Sequence, residues 1–130
     1  MMKKVLISFH IDTSDSKVSY ETFGYFKGNT LGFTDQENNE NKITFNDSVN
    51  YQKHGSINMN FDFMNNAETK GVYEYQNLKF DFTIFTHELT VTKDNLKVDY
   101  SLFQDGLLVN KALMEVHYCT IKEENNGYQK

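Results

Sequence analysis

Residues 78–87 read LKFDFTIFTH, and this stretch decides the fold class because apolar and polar side chains alternate along it. Successive side chains of a β-strand point to opposite faces of the sheet, so the alternation predicts a strand with one buried face. The residues expected on that buried face are Leu78, Phe80, Phe82, Ile84 and Thr86.

The same alternation recurs along most of the chain. Runs of this kind begin at Val5, Val18, Ile43, Ile57, Leu96 and Ala112. Polar turn signals such as Lys27-Gly28-Asn29 and Asp105-Gly106 separate them. No stretch of about ten residues or more shows the helical period. We therefore predict an all-β chain of about nine or ten strands joined by short hairpins.

A meander of this size can bury a single apolar face by curling into a closed antiparallel barrel, which also removes unpaired strand edges. The chain has no proline, so every strand is free to pair on both sides. A sandwich of two sheets remains the alternative, because periodicity does not determine closure. We predict one barrel domain over residues 1–122, an exposed hairpin tip at 35–41 and a polar tail at 123–130.

Composition narrows the classes of function. The 130 residues include 13 basic residues, all of them lysine, and 18 acidic ones, and the net charge of -5 argues against a nucleic-acid partner. The single cysteine, Cys119, forms no disulfide within the chain and favours a reducing compartment. Residues 1–11 lack the apolar core of a signal peptide, and no apolar run reaches the roughly 18 residues of a membrane helix. We expect a cytoplasmic protein with no membrane partner.

A series of short motifs follows one another along the chain: Val49-x-Tyr51-x-Lys53-x-Gly55, Asn60-Phe61, Gly71-Val72-Tyr73, Leu78-x-Phe80, Leu96-x-Val98-x-Tyr100-x-Leu102, Gly106 and Asn110-Lys111-Ala112-Leu113. In this order the motifs resemble the YwiB-like family of small bacterial proteins. The resemblance implies a lipocalin-like, calycin-type β-barrel and no established reaction, since the family is a domain of unknown function. Lys53 stands where the family favours an arginine, so we expect no role that requires a planar bidentate guanidinium.

Lys53 is the candidate for ligand binding. It is in phase with Val49 and Tyr51, so its ammonium is expected to point toward the barrel interior or its rim. A buried charge is costly, and this ammonium therefore needs a carboxylate or phosphate partner, or must lose its proton. We predict a non-catalytic protein that binds a small, partly apolar ligand inside the barrel, with an acidic group of the ligand against Lys53.

The predicted apolar contacts of that ligand are Tyr20, Tyr51, Tyr73, Tyr100 and Phe82. An alternative hypothesis leaves Lys53 in solvent at the end of its strand and makes the tyrosines ordinary core residues.

Signals for catalysis, cofactors and metals are weak. The chain has no Gly-x-Ser-x-Gly elbow and no glycine-rich phosphate loop. His117 and Cys119 share one face of the last predicted strand, and a closed barrel could bring His10 beside them, but their spacing is not that of a usual zinc motif. We expect no catalytic residue, no cofactor and no metal.

A second functional hypothesis comes from aromatic residues that are out of phase with the core and point to the polar face. These residues are Phe23, Tyr25, Phe85 and Phe103. If they cluster, they form an exposed apolar patch, and the protein is then an interaction module or homodimer with a packed interior. Covering loops or β-bulges would remove such a patch.

Overall fold

The structure, a computed structural model, describes residues 2–121. This part of the chain forms ten β-strands: β1 Met2–Thr13, β2 Lys17–Lys27, β3 Thr30–Thr34, β4 Glu40–Phe45, β5 Val49–His54, β6 Ile57–Phe63, β7 Ala67–Tyr75, β8 Leu78–Val91, β9 Asn95–Gln104 and β10 Leu107–Thr120. Within residues 2–121, no helix is long and apolar enough to cross a membrane. The predicted tail, 123–130, lies outside the described residues.

The strands form a closed antiparallel barrel. Each strand pairs with its neighbour in sequence, and β1 closes the ring by pairing with both β2 and β10. The closing register places Phe9 opposite Val116 on β10 and Tyr20 on β2. The prediction of an all-β barrel of about nine or ten strands is confirmed, and the alternative of two separate sheets is not observed.

The barrel core consists of the inward side chains of the alternating runs. The largest of the fully buried ones are Phe63, Ile7, Leu31, Ile43, Ile84, Leu96 and Met114. The deciding strand, β8, follows the predicted alternation from Phe80 to Thr86: Phe80 and Phe82 are half-buried, and Ile84 and Thr86 are fully buried. Leu78 was predicted to be buried but is 59% exposed, because the start of β8 extends past β9, whose pairing with β8 begins only at Thr83.

Antiparallel pairing gives the barrel two different ends. One end carries the connections β1–β2, β3–β4, β5–β6, β7–β8 and β9–β10, and we call it the Asp35 end after a residue of the β3–β4 connection. The other end carries the remaining four hairpins, and we call it the Tyr118 end. Lys53, the candidate ligand-binding residue, is the next-to-last residue of β5. It therefore lies beside the β5–β6 connection, at the Asp35 end.

Candidate functional site

A cavity of about 450 Å³ opens at the Asp35 end of the barrel. Its lining residues are Phe9, Ile11, Val18, Tyr20, Asp35, Gln36, Glu37, Tyr51, Lys53, Met59 and Tyr100. The inward faces of β1, β2, β5, β6 and β9 supply the apolar part of this lining, and the β3–β4 connection supplies the polar part. The structure thus brings four predicted site residues together: Lys53, Tyr20, Tyr51 and Tyr100.

Lys53 has a carboxylate partner within the chain. Its Nζ lies 3.2 Å from Oδ2 of Asp35, and the Asp35 side chain is only 5% exposed. This ion pair satisfies the requirement that a partly buried ammonium be matched by a negative charge. Lys53 therefore points to the rim of the barrel, as its phase predicted, but its charge is already balanced.

Asp35 is held ionised by a set of hydrogen bonds. Burial alone would raise the pKa of its carboxyl group, but hydrogen bonds from the Asn41 amide and the Asn39 backbone, together with the charge and hydrogen bond of Lys53, lower it below its usual value. The backbone N–H groups of Glu37 and Asn39 each donate to Oδ1 at 3.0 Å. The Asn41 amide donates to Oδ2 at 3.1 Å. The β3–β4 connection is thus folded around this one carboxylate.

Asn41 links the carboxylate to the interior of the barrel. Its Oδ1 accepts a hydrogen bond of 2.6 Å from the Tyr51 hydroxyl, and its amide donates to both Asp35 and the backbone carbonyl of Asn39. Because Asn41 is only 1% exposed, these bonds stabilise a polar group that would be costly to bury alone. The chain Tyr51–Asn41–Asp35–Lys53 therefore fixes one side of the cavity rim.

Asn39 ties this connection to the next one. Its fully buried Oδ1 accepts hydrogen bonds of 3.2 Å from the Ser56 hydroxyl and the Ile57 backbone N–H. A Cβ atom at Gly55, whose φ is 154°, would collide with the same oxygen, so the close approach requires glycine. The two connections thus form one hydrogen-bonded rim.

The prediction that residues 35–41 form an exposed tip is wrong for Asn39 and Asn41, which are buried. Their burial follows from the Asp35 carboxylate, which gives each buried amide a partner. A usable signal existed in the sequence: Asp followed by Asn residues is typical of side chains that bond the local backbone. The position of Lys53 opposite Asn41 in the β4–β5 register could not be obtained from that signal.

Three tyrosines line the cavity: Tyr20, Tyr51 and Tyr100. The Tyr51 hydroxyl donates to Asn41, whereas the Tyr20 hydroxyl is buried and makes no hydrogen bond within the described residues. Burial raises the pKa of Tyr20 and Tyr100, and the Asp35 charge raises that of Tyr20 further, so both stay protonated. A buried hydroxyl without a partner is costly, so a polar group of a bound molecule would stabilise the Tyr20 hydroxyl.

The other two predicted contacts, Tyr73 and Phe82, do not line this cavity. Both are half-buried and pack against the core. Phe82 makes an edge contact with Phe61, with ring centroids 6.3 Å apart. Both side chains point inward, as their phase predicted. Strands β6, β7 and β8 pack against each other around Phe61, and Tyr73 and Phe82 therefore lie beside the core rather than in the cavity.

The outward aromatic residues form two groups, not one patch. Phe23 and Tyr25 lie on β2, whereas Phe85 and Phe103 lie on β8 and β9, and strands β1 and β10 stand between the groups. Phe23 is 61% exposed, but Tyr25, Phe85 and Phe103 are half-buried. These four residues therefore do not form a single cluster, because they lie on strands that are separated from one another in the closed ring.

One of these groups continues into an aliphatic surface that the sequence analysis missed. Leu108 lies opposite Phe103 in the β9–β10 register, and Leu107, Leu108 and Val109 are all at least half exposed. The register shifts between Leu108 and Asn110, so Val109 has no opposite residue on β9 and the alternation is interrupted there.

His10, His117 and Cys119 share the outer face of the closing strands without forming a metal site. His117 lies opposite Ser8, and Cys119 opposite Leu6, so the thiol is four register positions from His10. His10 instead approaches Asp12, with Nε2 and Oδ1 3.3 Å apart. Within residues 2–121, no group of three or more such side chains is arranged to hold a metal ion.

The fold and the cavity together define a closed ten-stranded antiparallel β-barrel with an accessible, mainly apolar site at one end. Residues 5–116 match the family described as a domain of unknown function (DUF1934), and the chain belongs to this family. The structure is similar to the crystal structure of the ywiB protein from Bacillus subtilis, with a TM-score of 0.75 over 93% of this chain and 94% of that chain. The two sequences are 14% identical, so this likeness shows the fold alone. The predicted resemblance to the YwiB-like family is confirmed.

No curated protein is significantly similar in sequence to this chain.

Proposed function

We propose that this barrel is a non-catalytic binding protein that holds one small, mainly apolar molecule in the cavity at the Asp35 end. The observation that carries the proposal is Tyr20, which lines this cavity and whose buried hydroxyl has no partner within the described residues. A volume of about 450 Å³ falls within the range of small-molecule sites. An apolar lining with a few fixed polar groups is also typical of such sites.

The geometry does not favour an acidic ligand group against Lys53. The Asp35 carboxylate already occupies the direction in which the Lys53 ammonium points, 3.2 Å away. An incoming anion would have to displace Asp35, whose oxygens accept four further hydrogen bonds. We therefore assign Lys53 a role in fixing the rim.

The compartment we propose is the cytoplasm. The cysteine thiol of Cys119 is free and exposed, and a free exposed thiol suits a reducing environment. Interaction through the outer aromatic residues is the less favoured function, because those residues are divided between two sides of the barrel.

The proposal is tested by titrating the protein with N-phenyl-1-naphthylamine, an uncharged dye that fluoresces in apolar surroundings. We expect saturable binding of one dye per chain. Val18→Trp should abolish this binding, because Val18 lines the cavity and lies at its mouth, where it is 41% exposed.

Val91→Trp is the matched control. Val91 is 46% exposed but lies at the end of β8 toward the Tyr118 end, so this variant should bind the dye as the unmodified protein does. Absence of saturable binding, or equal binding by Val18→Trp and the control, would contradict the proposal.

A further inference from the structure

We infer that the molecule held in the cavity carries a protonated amine, which lies at the rim beside Glu37 while the apolar body occupies the barrel. This inference rests on the proposed binding function and specifies the chemical class of the ligand.

The first argument is the charge of the rim. Three ionisable side chains with full charges line the cavity: Asp35, Glu37 and Lys53. Asp35 and Lys53 neutralise each other at 3.2 Å. No lysine of the described residues lies within ion-pair distance of Glu37, so its carboxylate is the uncompensated charge at the opening. The rim therefore carries a net negative charge, which attracts a cation and repels an anion.

The second argument is the aromatic lining. Phe9 stacks on Tyr20 with ring centroids 5.2 Å apart and tilts toward Tyr51 at 6.2 Å. Tyr100 completes the set of four aromatic residues that line the cavity. The faces of aromatic rings carry negative electrostatic potential and attract ammonium groups, an effect that strengthens where water is excluded. The lining thus favours the same sign of charge as the rim.

The third argument is hydrogen bonding. An ammonium group only donates hydrogen bonds, whereas a carboxylate only accepts them. The Tyr20 hydroxyl is buried without a partner and can donate or accept, but the nearby Asp35 charge makes its surroundings more favourable for a cationic donor than for an anionic acceptor. Burial is the main cause of the raised pKa of Tyr73, and the charge of Glu37 raises it further. The electric field of this carboxylate therefore reaches the barrel wall.

The experiment uses three competitors with the same apolar body: 4-phenylbutylamine, 4-phenyl-1-butanol and 4-phenylbutyrate. Each is titrated against the protein loaded with N-phenyl-1-naphthylamine, and the displacement constant is measured. We expect the amine to displace the dye about tenfold more tightly than the alcohol, and the carboxylate to be the weakest of the three.

Glu37→Gln tests the origin of this preference. The side chain of Glu37 is exposed, and only its backbone N–H supports Asp35, so the variant should keep the rim intact. We expect its affinity for the amine to fall to near that for the alcohol. Glu40→Gln is the matched control: it removes the same charge from an exposed residue three positions later that does not line the cavity, and its amine preference should persist.

The possible results separate the inference from the function on which it rests. Displacement by the alcohol with no advantage for the amine, or with an advantage for the carboxylate, would overturn the inference and leave the binding function standing. An amine preference that survives Glu37→Gln would also overturn it. Failure of both the dye and the neutral alcohol to bind would remove the proposed function and the inference together.

Discussion

The two ends of the barrel are built from the same alternating strands, but their aromatic residues are arranged differently. At the Tyr118 end, Phe26, Phe45 and Tyr118 pack on one another, with ring centroids 5.6 to 6.2 Å apart. At the Asp35 end, the rings of Phe9 and Tyr20 stack along the wall and border an open cavity instead. The three rings therefore fill part of the interior at the Tyr118 end, where Phe26 and Tyr118 also line a second cavity of about 420 Å³.

The ends also differ in charge. The cavity at the Tyr118 end is lined by Lys3, Lys93 and Asp94 among others, which leaves an excess of positive charge. The lining at the Asp35 end has two carboxylates and one ammonium. Alternation alone places side chains inward, but the connections decide what charge surrounds each cavity.

The largest effect is expected from truncating an aromatic ring at the Tyr118 end. Tyr118→Ala should lower the free energy of unfolding by about 3–4 kcal/mol, because the side chain is only 6% exposed and packs on the rings of Phe26 and Phe45. Tyr20→Ala should cost about 2 kcal/mol or less, because Tyr20 is only half-buried and borders a cavity. Denaturant unfolding of both variants measures the difference. Equal losses would mean that the two ends are equally well packed.

A smaller effect is expected from the ion pairs at the two ends. Asp35→Ala should lower the free energy of unfolding by about 2–3 kcal/mol, because it leaves Lys53 without its partner and removes one of the two acceptors of the buried Asn41 amide. Glu88→Ala breaks the exposed contact with Lys97, 3.8 Å long, and should change stability by less than about 0.5 kcal/mol. The measurement is again denaturant unfolding, and a cost for Glu88→Ala as large as that for Asp35→Ala would contradict the role given to the rim.

The smallest expected difference in stability is between variants of two tyrosines that line the same cavity. Tyr51→Phe should cost about 1 kcal/mol, because its hydroxyl donates to the buried Asn41. Tyr20→Phe should be nearly neutral, because its hydroxyl has no partner to lose among the described residues. Thermal unfolding of the two variants measures this contrast. A destabilised Tyr20→Phe protein would indicate that the hydroxyl is already satisfied and is not available to a ligand.

Much of the fold could be predicted because the strand period is local. Ile7, Ile84 and Leu96 occupy alternating positions and are all fully buried, as their phase required. Closure could not be predicted in the same way, since the pairing of β1 with β10 joins residues 99 to 115 positions apart. The exposed start of β8 depends on its pairing with β9, which is shorter than β8 and reaches only Thr83.

The candidate site was predicted less completely. Lys53 and Tyr51 could be placed inward from their phase, but their partners Asp35 and Asn41 lie on another hairpin. The alternation does not predict such contacts, because the residues of a connection do not follow the strand period. The division of the outer aromatic residues into two groups likewise depends on the position of each strand in the closed ring.

The central claim is that a small molecule binds at the Asp35 end, and two methionines allow a direct test. Met59 lines the cavity, whereas Met64 is 45% exposed in the β6–β7 connection at the Tyr118 end. With methionine methyl groups labelled with carbon-13, addition of N-phenyl-1-naphthylamine should shift the NMR signal of Met59 in a saturable way and leave that of Met64 unchanged. A shift of Met64 with an unmoved Met59 would contradict the account.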